Sequence, residues 1–195
     1  MSDRRPTAHL PTLRTLFAVF PLTLLALVLG VPALASATLP KTSTKSIVPG
    51  KSIGGLGLGG SQASVEKVWG PYPGGDCEQI CTYSAPKGGA TGEVRFETTD
   101  SVHFKAFEVL IKTEVEFAGG KDVANCDTPL TKYQTSKGIH LCSTAGAVKK
   151  AYPKAVKEGD AYVLKGPGKA RTLFSLTEDN KVFFISITSR PPEDE

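Results

Sequence analysis

Four cysteines are the residues of this chain with the clearest covalent chemistry, and all of them follow an apolar N-terminal segment that predicts export. Outside the cytosol, an even number of cysteines indicates disulfides. The alternative is a zinc site, but a Cys-x3-Cys pair followed by widely spaced cysteines is poor spacing for zinc ligands. We therefore predict disulfides and no metal. Disulfides that close short loops within each half of the chain are favoured over the other possible connectivities. They are Cys77–Cys81 and Cys126–Cys142.

A glycine-rich run matches the pattern of a dinucleotide-binding loop. Gly55, Gly57 and Gly60 give G-x-G-x-x-G, and Asp76 lies about twenty residues further on, where that motif places an acidic residue. The motif needs a buried parallel strand before the glycines, and residues 46–52 do not read as one. We therefore predict that the glycines form a tight turn into a helix and that the chain binds no cofactor.

No set of side chains in the sequence has the spacing of a known catalytic centre. His103 and His140 are far apart, and no segment resembles a nucleophile elbow or a metalloprotease helix. The carboxylates of Glu114 and Glu116 fall on the predicted solvent face of a strand, where hydration is their usual role. The sequence therefore predicts a protein that is not an enzyme and has no catalytic residue.

Residues 1–37 are typical of a secretory signal peptide. They contain early arginines, an apolar stretch and the cleavage motif Ala35-Ser36-Ala37. The alternative is a retained anchor, because the stretch from Leu16 to Ala37 is uncharged and nearly long enough to span a bilayer. The cleavage motif favours removal, so we expect a secreted protein, with the cell envelope also open, and no stable membrane insertion.

The balance of charge excludes one class of partner. The whole chain has a formal charge of +4, and removal of the predicted signal peptide, with its three arginines and one aspartate, leaves about +2. Nucleic-acid binding normally needs a concentrated basic face, so no nucleic-acid partner is expected. Basic residues do concentrate in the second half, where they predict a solvated surface or binding of an anionic cell-wall polymer. These residues are Lys149, Lys150, Lys154, Lys157, Lys165, Lys169 and Arg171.

The chain contains an internal repeat with a constant offset of 83 residues. Each copy has a hydroxyl residue, a valine and an aromatic residue at the same spacing: Ser61, Val65 and Trp69 in the first, and Thr144, Val148 and Tyr152 in the second. The hydroxyl residue predicts an N-cap, and the apolar spacing predicts a short helix with one buried stripe. A fixed offset indicates a duplicated structural unit.

Alternating apolar and charged residues predict strands after each helix. In the second half, residues 171–177 and 182–188 flank a turn over 178–181 and predict a hairpin, with a further strand over 160–165. Each half is therefore predicted to pack a helix on an antiparallel sheet of its own, an α+β fold. In the first half, the predicted buried strand positions are Val94, Phe96, Phe107, Val109, Ile111, Val115 and Phe117.

The second hairpin is apolar on both of its faces. The predicted inward set is Leu173, Phe183, Ile185 and Ile187. The outward set is either covered by the other half of the chain or exposed as a surface that binds another protein. The candidate partner-binding residues are Phe174, Leu176, Val182 and Phe184.

The first copy of the repeat resembles that of the beta-lactamase inhibitor protein family. Residues 55–70 read Gly-Leu-Gly-Leu-Gly-Gly-Ser-x3-Val-x2-Val-Trp-Gly and precede a cysteine pair and strands. They are also similar to the small lipoproteins of the outer-membrane assembly machine. The resemblance covers most of residues 53–188 and implies two tandem helix-plus-antiparallel-sheet units with a binding role. The methionine common in the family's Gly-Met-Thr is absent, since this chain has Gly60-Ser61 and Ser143-Thr144.

These observations predict a secreted, non-enzymatic binding protein that docks a protein partner through a sheet surface. The alternative is a cell-envelope module that binds an anionic wall polymer through the basic second half. The predicted organisation is a signal peptide over 1–37, a flexible lead-in over 38–52, a first α+β repeat over 53–118, a linker over 119–134, a second α+β repeat over 135–189 and an acidic tail over 190–195.

Overall fold

The computed structural model of this chain describes residues 38–73, 77, 79–85, 89–100 and 103–190. The predicted signal peptide and residues 191–195 of the predicted tail lie outside the described residues, as does Asp76.

The described residues form an α+β fold in which strands predominate, and this confirms the predicted class. The helices are α1 (Gln62–Trp69), α2 (Ala145–Ala151) and a short 3₁₀ helix (Pro129–Lys132). The strands are β1 (Ser46–Val48), β2 (Ser52–Ile53), β3 (Leu56–Gly57), β4 (Ile80–Ser84), β5 (Ala90–Asp100), β6 (His103–Thr113), β7 (Val115–Ala118), β8 (Lys121–Ala124), β9 (Gln134–Thr135), β10 (Val156–Glu158), β11 (Ala161–Lys165), β12 (Arg171–Leu176) and β13 (Val182–Thr188).

Seven antiparallel strands form one continuous sheet in the order β10-β11-β12-β13-β6-β5-β4. Strands β4–β6 come from the first half of the chain and strands β10–β13 from the second. The two sets meet where β13 pairs with β6. The strands of the two halves therefore share one layer, and the sheets predicted separately for each half are joined. A small sheet, β3-β2-β1-β9, and the two-stranded β7–β8 ribbon stand apart from it.

Both α-helices lie on the same face of this sheet. Directly paired residues of neighbouring strands share a face, and one such row is Tyr83, Gly92, Ile111, Ile185 and Phe174. Trp69 at the end of α1 meets Tyr83 edge-on, with ring centroids 5.6 Å apart. Tyr152, directly after α2, stacks on Phe174 at 5.7 Å. Each helix thus covers strands of its own half, on what we call the helix face.

Position 92 has to be glycine because Trp69 and Pro40 lie directly over the sheet there. A Cβ atom added to Gly92 would lie 2.9 Å from Pro40 and 3.2 Å from Trp69. Contacts this short do not occur without a shift of the neighbours, so the missing side chain lets the tryptophan reach the sheet. Trp69 is completely buried there, and its indole N–H donates to the Ile53 carbonyl at 3.2 Å.

The segments that begin the two helices each exchange a pair of backbone hydrogen bonds with a strand residue. Gly59 donates to the Ala106 carbonyl and Ala106 donates to the Gly60 carbonyl. In the second half, Cys142 donates to the Val182 carbonyl and Val182 donates to the Ser143 carbonyl. Gly59 and Cys142 also share a left-handed backbone, with φ of 77° and 70°. The helix-side residues of these bonds keep the offset of 83, whereas their strand partners, Ala106 and Val182, are 76 positions apart.

The predicted helix caps are present, and their removal gives a first testable prediction. The Ser61 hydroxyl accepts from the Ser64 N–H at 3.3 Å, and the Thr144 hydroxyl accepts from the Ala147 N–H at 3.2 Å. We expect Ser61→Ala and Thr144→Ala each to lower the free energy of unfolding by about 1 kcal/mol in urea denaturation. The control is Ser136→Ala at an exposed turn, which should change stability by no more than about 0.5 kcal/mol. Cap variants no less stable than this control would contradict the prediction.

Two segments predicted as flexible or connecting are part of the packed structure. Ile47, in the predicted lead-in, is 1% exposed, and its strand β1 pairs with β2 and β9. Leu130 and Tyr133, in the predicted linker, are each 1% exposed and belong to the main core. These large apolar side chains, separated by polar residues, give no periodic signal in the sequence.

The two predicted disulfides, Cys77–Cys81 and Cys126–Cys142, are confirmed, and no described cysteine is free. The second disulfide joins the segment after β8 to the left-handed residue before α2. Disulfides of this kind are consistent with an extracellular or envelope protein.

Candidate functional site

Three of the four candidate partner-binding residues are core residues, so the predicted docking surface is wrong in those positions. Phe174 and Val182 are fully buried and Leu176 is 7% exposed. Phe174 pairs directly with Ile185, which places it under α2 rather than on the opposite face. On β12 the two predicted faces are exchanged, which is the effect of a shift of one residue. On β13, Val182 reaches the helix face because the register shifts between Ser175 and Leu176, so that Leu176 pairs with Val182 rather than Phe183. Phe184 does lie on the opposite face and is half-buried.

The opposite face of the sheet, which we call the open face, is covered by neither described α-helix. Its middle row contains Leu110 and Val163, which are buried and yet lie outside the main core cluster on the helix face. Leu173 and Phe184 are half-buried on the same face. The pairings define the open face as Ile80, Thr82, Ser84, Thr91, Glu93, Arg95, Glu108, Leu110, Lys112, Val156, Glu158, Ala161, Val163, Lys165, Arg171, Leu173, Ser175, Phe184, Ser186 and Thr188.

An ion-pair network occupies the centre of the open face. The Arg95 guanidinium bridges the carboxylates of Glu93 and Glu108, at 3.5 and 3.2 Å. Lys112 Nζ lies 3.2 Å from the other oxygen of Glu93, and the Ser186 hydroxyl donates to Glu108 at 2.7 Å. Both carboxylates are only 8% exposed. Each buried charge therefore has partners on neighbouring strands, and the network fixes the side chains of the face in place.

A second ion pair extends the open face toward the end of β13. Arg190 donates to Glu97 at 3.0 Å, and its guanidinium stacks on the Phe107 ring at 3.9 Å from the centroid. Phe107 was predicted to be a buried core position, but it is half-buried and contacts this arginine instead. The register shift at Arg95 and Phe96 leaves Phe107 opposite no residue of β5 and explains the difference.

A groove of about 540 Å³ lies between the β7–β8 ribbon and one end of the open face. Its apolar lining comes from Val115 of the ribbon and Phe183 of β13, together with Ala161 and Leu176. Ser175 and Thr177 supply hydroxyl groups. Four carboxylates complete the lining: Asp122, Glu158, Asp160 and Glu178.

The ribbon that forms one wall of this groove exposes a large aromatic side chain. Phe117 is 78% exposed and Val115 is 38% exposed, although the alternation in the sequence predicts both as buried. The chain leaves the seven-stranded sheet after β6 and pairs with β8 instead, so these residues lie outside the sheet that the two described α-helices cover. The ribbon is held at the groove by the Asp122 N–H, which donates to the Glu178 carboxylate at 3.0 Å, and near its base by the Cys126–Cys142 disulfide.

His140, Tyr83 and Tyr133 are engaged in structural contacts. His140 Nδ1 contacts the Leu141 carbonyl, and the side chain of His103 is outside the described part of the structure. Burial raises the pKa of Tyr133 to about 12, and burial together with Glu66 and Tyr72 raises the pKa of Tyr83 to about 12. Their hydroxyls donate to backbone carbonyls. Among the described residues, no group of His, Cys, Asp or Glu side chains could hold a metal ion.

The basic residues of the second half lie on both faces of the sheet. Lys157 pairs with Tyr162 in the row of the helix face, whereas Lys165 and Arg171 are paired on the open face. Lys149 and Lys150 are exposed on α2. The structure therefore divides this group between two surfaces, and polymer binding stays a prediction.

Comparison with known proteins finds no match to a protein family, a curated protein or a solved structure. Within the described residues, no helix has the length and apolar character that crossing a membrane requires.

Proposed function

We propose that this chain is an exported, non-enzymatic binding protein that docks a protein partner through the open face of its sheet. We also infer that its two helix-plus-sheet halves derive from one duplicated unit. Support for the duplication comes from the equivalent hydrogen bonds and left-handed residues at Gly59 and Cys142, 83 positions apart. The combination of a predicted signal peptide with two disulfides supports export.

The observation that carries the docking proposal is the unequal covering of the two sheet faces. Both described α-helices lie on one face, so the opposite face presents half-buried Leu173 and Phe184 beside an ordered ion-pair network. An antiparallel sheet that faces water alone normally carries polar residues on that side. Apolar side chains next to preorganised charges are instead typical of protein interfaces, where a few anchors supply most of the affinity and charged pairs select the partner.

One reason to propose a non-enzymatic role is that no set of residues in the sequence has the spacing of a known catalytic centre. The open face adds a chemical reason. Glu93 and Glu108 are the carboxylates at its centre, but both are engaged by Arg95, and Glu93 also by Lys112. The oxygens of both carboxylates are therefore occupied by ion pairs within the face itself. The same arrangement suits recognition, because its charges cost little reorganisation when a partner binds.

Affinity capture with a charge substitution on the open face tests the docking proposal. The protein, purified from a host that expresses the full chain, is immobilised and exposed to culture medium of the organism that produces it. We expect Leu173→Glu to lose the protein captured by the unmodified chain, with at least about thirtyfold weaker binding in a biosensor, the size expected for an interface anchor. Val48→Glu, at a 39% exposed position outside the seven-stranded sheet, is the matched control and should bind normally.

Two results would contradict the docking proposal. One is equal capture by Leu173→Glu and the unmodified chain. The other is loss of capture in both glutamate variants, which would indicate a general charge effect rather than a contact at the open face. Binding that falls steeply with salt and is unaffected by Leu173→Glu would favour the wall-polymer alternative, because polymer binding depends on screened charges.

A further inference from the structure

The groove beside the β7–β8 ribbon combines an apolar lining with carboxylates that have no cationic partner. Asp122, Glu158, Asp160 and Glu178 are all exposed at its edge, and among the described residues none of the four forms an ion pair. Among the residues that the structure describes, no lysine or arginine lines the groove. A concave surface with charges of one sign concentrates the field that they produce, so it favours a positively charged group.

The carboxylates are too dispersed to be a metal site. Among the described residues, no three acidic, cysteine or histidine side chains converge closely enough to hold a metal ion. The groove also presents Val115, Ala161 and Phe183, which a hydrated metal ion would leave uncovered. A group that fits both the carboxylates and the apolar lining has an apolar stem and a cationic end. Lysine and arginine side chains have this form.

The ribbon supplies the argument that the cation belongs to a protein. Phe117 pairs directly with Asp122 of the neighbouring strand. Val115 lies two residues before Phe117 on β7. These three side chains therefore share one side of the ribbon, and the 78% exposed Phe117 continues the groove wall outward. A free amine would leave this aromatic surface in water, whereas a protein segment covers it together with the groove.

We propose that this groove binds a lysine or arginine side chain of a protein partner, with its carboxylates pairing the cation and Phe183 and Val115 covering the alkyl stem. The inference rests on the proposed function, because the same partner then contacts the groove and the adjoining open face. It adds the chemistry of that partner: a basic side chain on an exposed segment, next to an apolar surface.

The groove is tested with defined peptides, so that no knowledge of the partner is needed. The probe is Ac-Leu-Arg-Leu-NH2, titrated into ¹⁵N-labelled protein from a host that expresses the full chain. We expect saturable shifts of the backbone amide signals of Ala161, Ser175 and Phe183, and weakening as salt is added. Ac-Leu-Nle-Leu-NH2, in which norleucine retains the stem and lacks the charge, should shift the same signals much less.

Two variants with the same change in net charge separate the groove from general electrostatics. Glu158→Gln/Asp160→Asn removes two groove carboxylates, and we expect about three- to tenfold weaker binding of the arginine peptide, the range for two exposed ion pairs. Glu66→Gln/Asp127→Asn removes two exposed carboxylates outside the groove and should bind as the unmodified protein does. Glu178→Gln is the milder second variant if the first is poorly folded, because glutamine retains an acceptor for the Asp122 N–H.

The outcomes of this experiment are distinguishable from those for the open face. Absence of saturable shifts, equal shifts with the norleucine peptide, or equal weakening by both charge variants would overturn the groove proposal. The docking proposal would still stand if Leu173→Glu abolished capture. Loss of capture in Glu158→Gln/Asp160→Asn, together with peptide binding in the unmodified protein, would place the partner in the groove.

Discussion

Phe174→Ala is expected to lower the free energy of unfolding by about 3–5 kcal/mol, the range for removing a buried phenylalanine. The ring is fully buried and stacks on Tyr152, so alanine would leave a cavity between α2 and the sheet. Urea denaturation of the purified protein measures the change. In a domain of this size, such a loss is a large part of the total stability.

The matched control for Phe174→Ala is Phe184→Ala. The two phenylalanines lie on adjacent strands, but Phe184 is half-buried on the open face, where truncation leaves no enclosed cavity. We expect it to cost about 1 kcal/mol or less. Equal effects of the two substitutions would mean that the register between β12 and β13 is different from the one described.

Loss of the Cys126–Cys142 disulfide is expected to produce the second large effect. The bond closes a loop with a sequence separation of 16 residues. The entropy of closing a loop of this length predicts that Cys126→Ser/Cys142→Ser lowers the free energy of unfolding by about 3 kcal/mol. The unmodified protein in reducing buffer loses both disulfides, so it should be no more stable than the double variant. A double variant within about 0.5 kcal/mol of the unmodified protein would contradict the prediction.

The backbone at Cys142 allows a second comparison within the same experiment. Its φ of 70° is left-handed, like that of Gly59 at the equivalent position of the first half. Without the disulfide, glycine should be preferred there, because other residues are strained in this conformation. We expect Cys126→Ser/Cys142→Gly to be more stable than Cys126→Ser/Cys142→Ala by about 1 kcal/mol. Equal stability of the glycine and alanine variants would mean that position 142 does not need the left-handed backbone that it shares with Gly59.

The helix caps, the second hairpin turn and the cysteine pairs were predicted correctly, because their signals come from neighbouring residues. The caps at Ser61 and Thr144 and the helices that follow them depend on hydrogen bonds and side-chain spacing within one or two turns. The turn between β12 and β13 and the pairing of cysteines within each half are local in the same sense.

The candidate site was predicted only in part because it depends on strand register. The hairpin of β12 and β13 is apolar on both faces, so alternation alone does not decide which face is buried. Phe184 was placed on the correct face, whereas Phe174, Leu176 and Val182 were not. The groove escaped prediction for a related reason: its lining joins a ribbon at residues 115–124 to strands about 40 to 60 positions later.

The amino-acid sequence by itself determined the α+β class, the two capped helices and the two disulfides of this protein, because each follows from contacts between residues close along the chain. Only the tertiary structure decided that β6 and β13 join both halves into one sheet, and that both helices cover the same face of it. Hydrogen bonds between distant strands choose the register, and the register decides which side chains are core and which face remains for a partner.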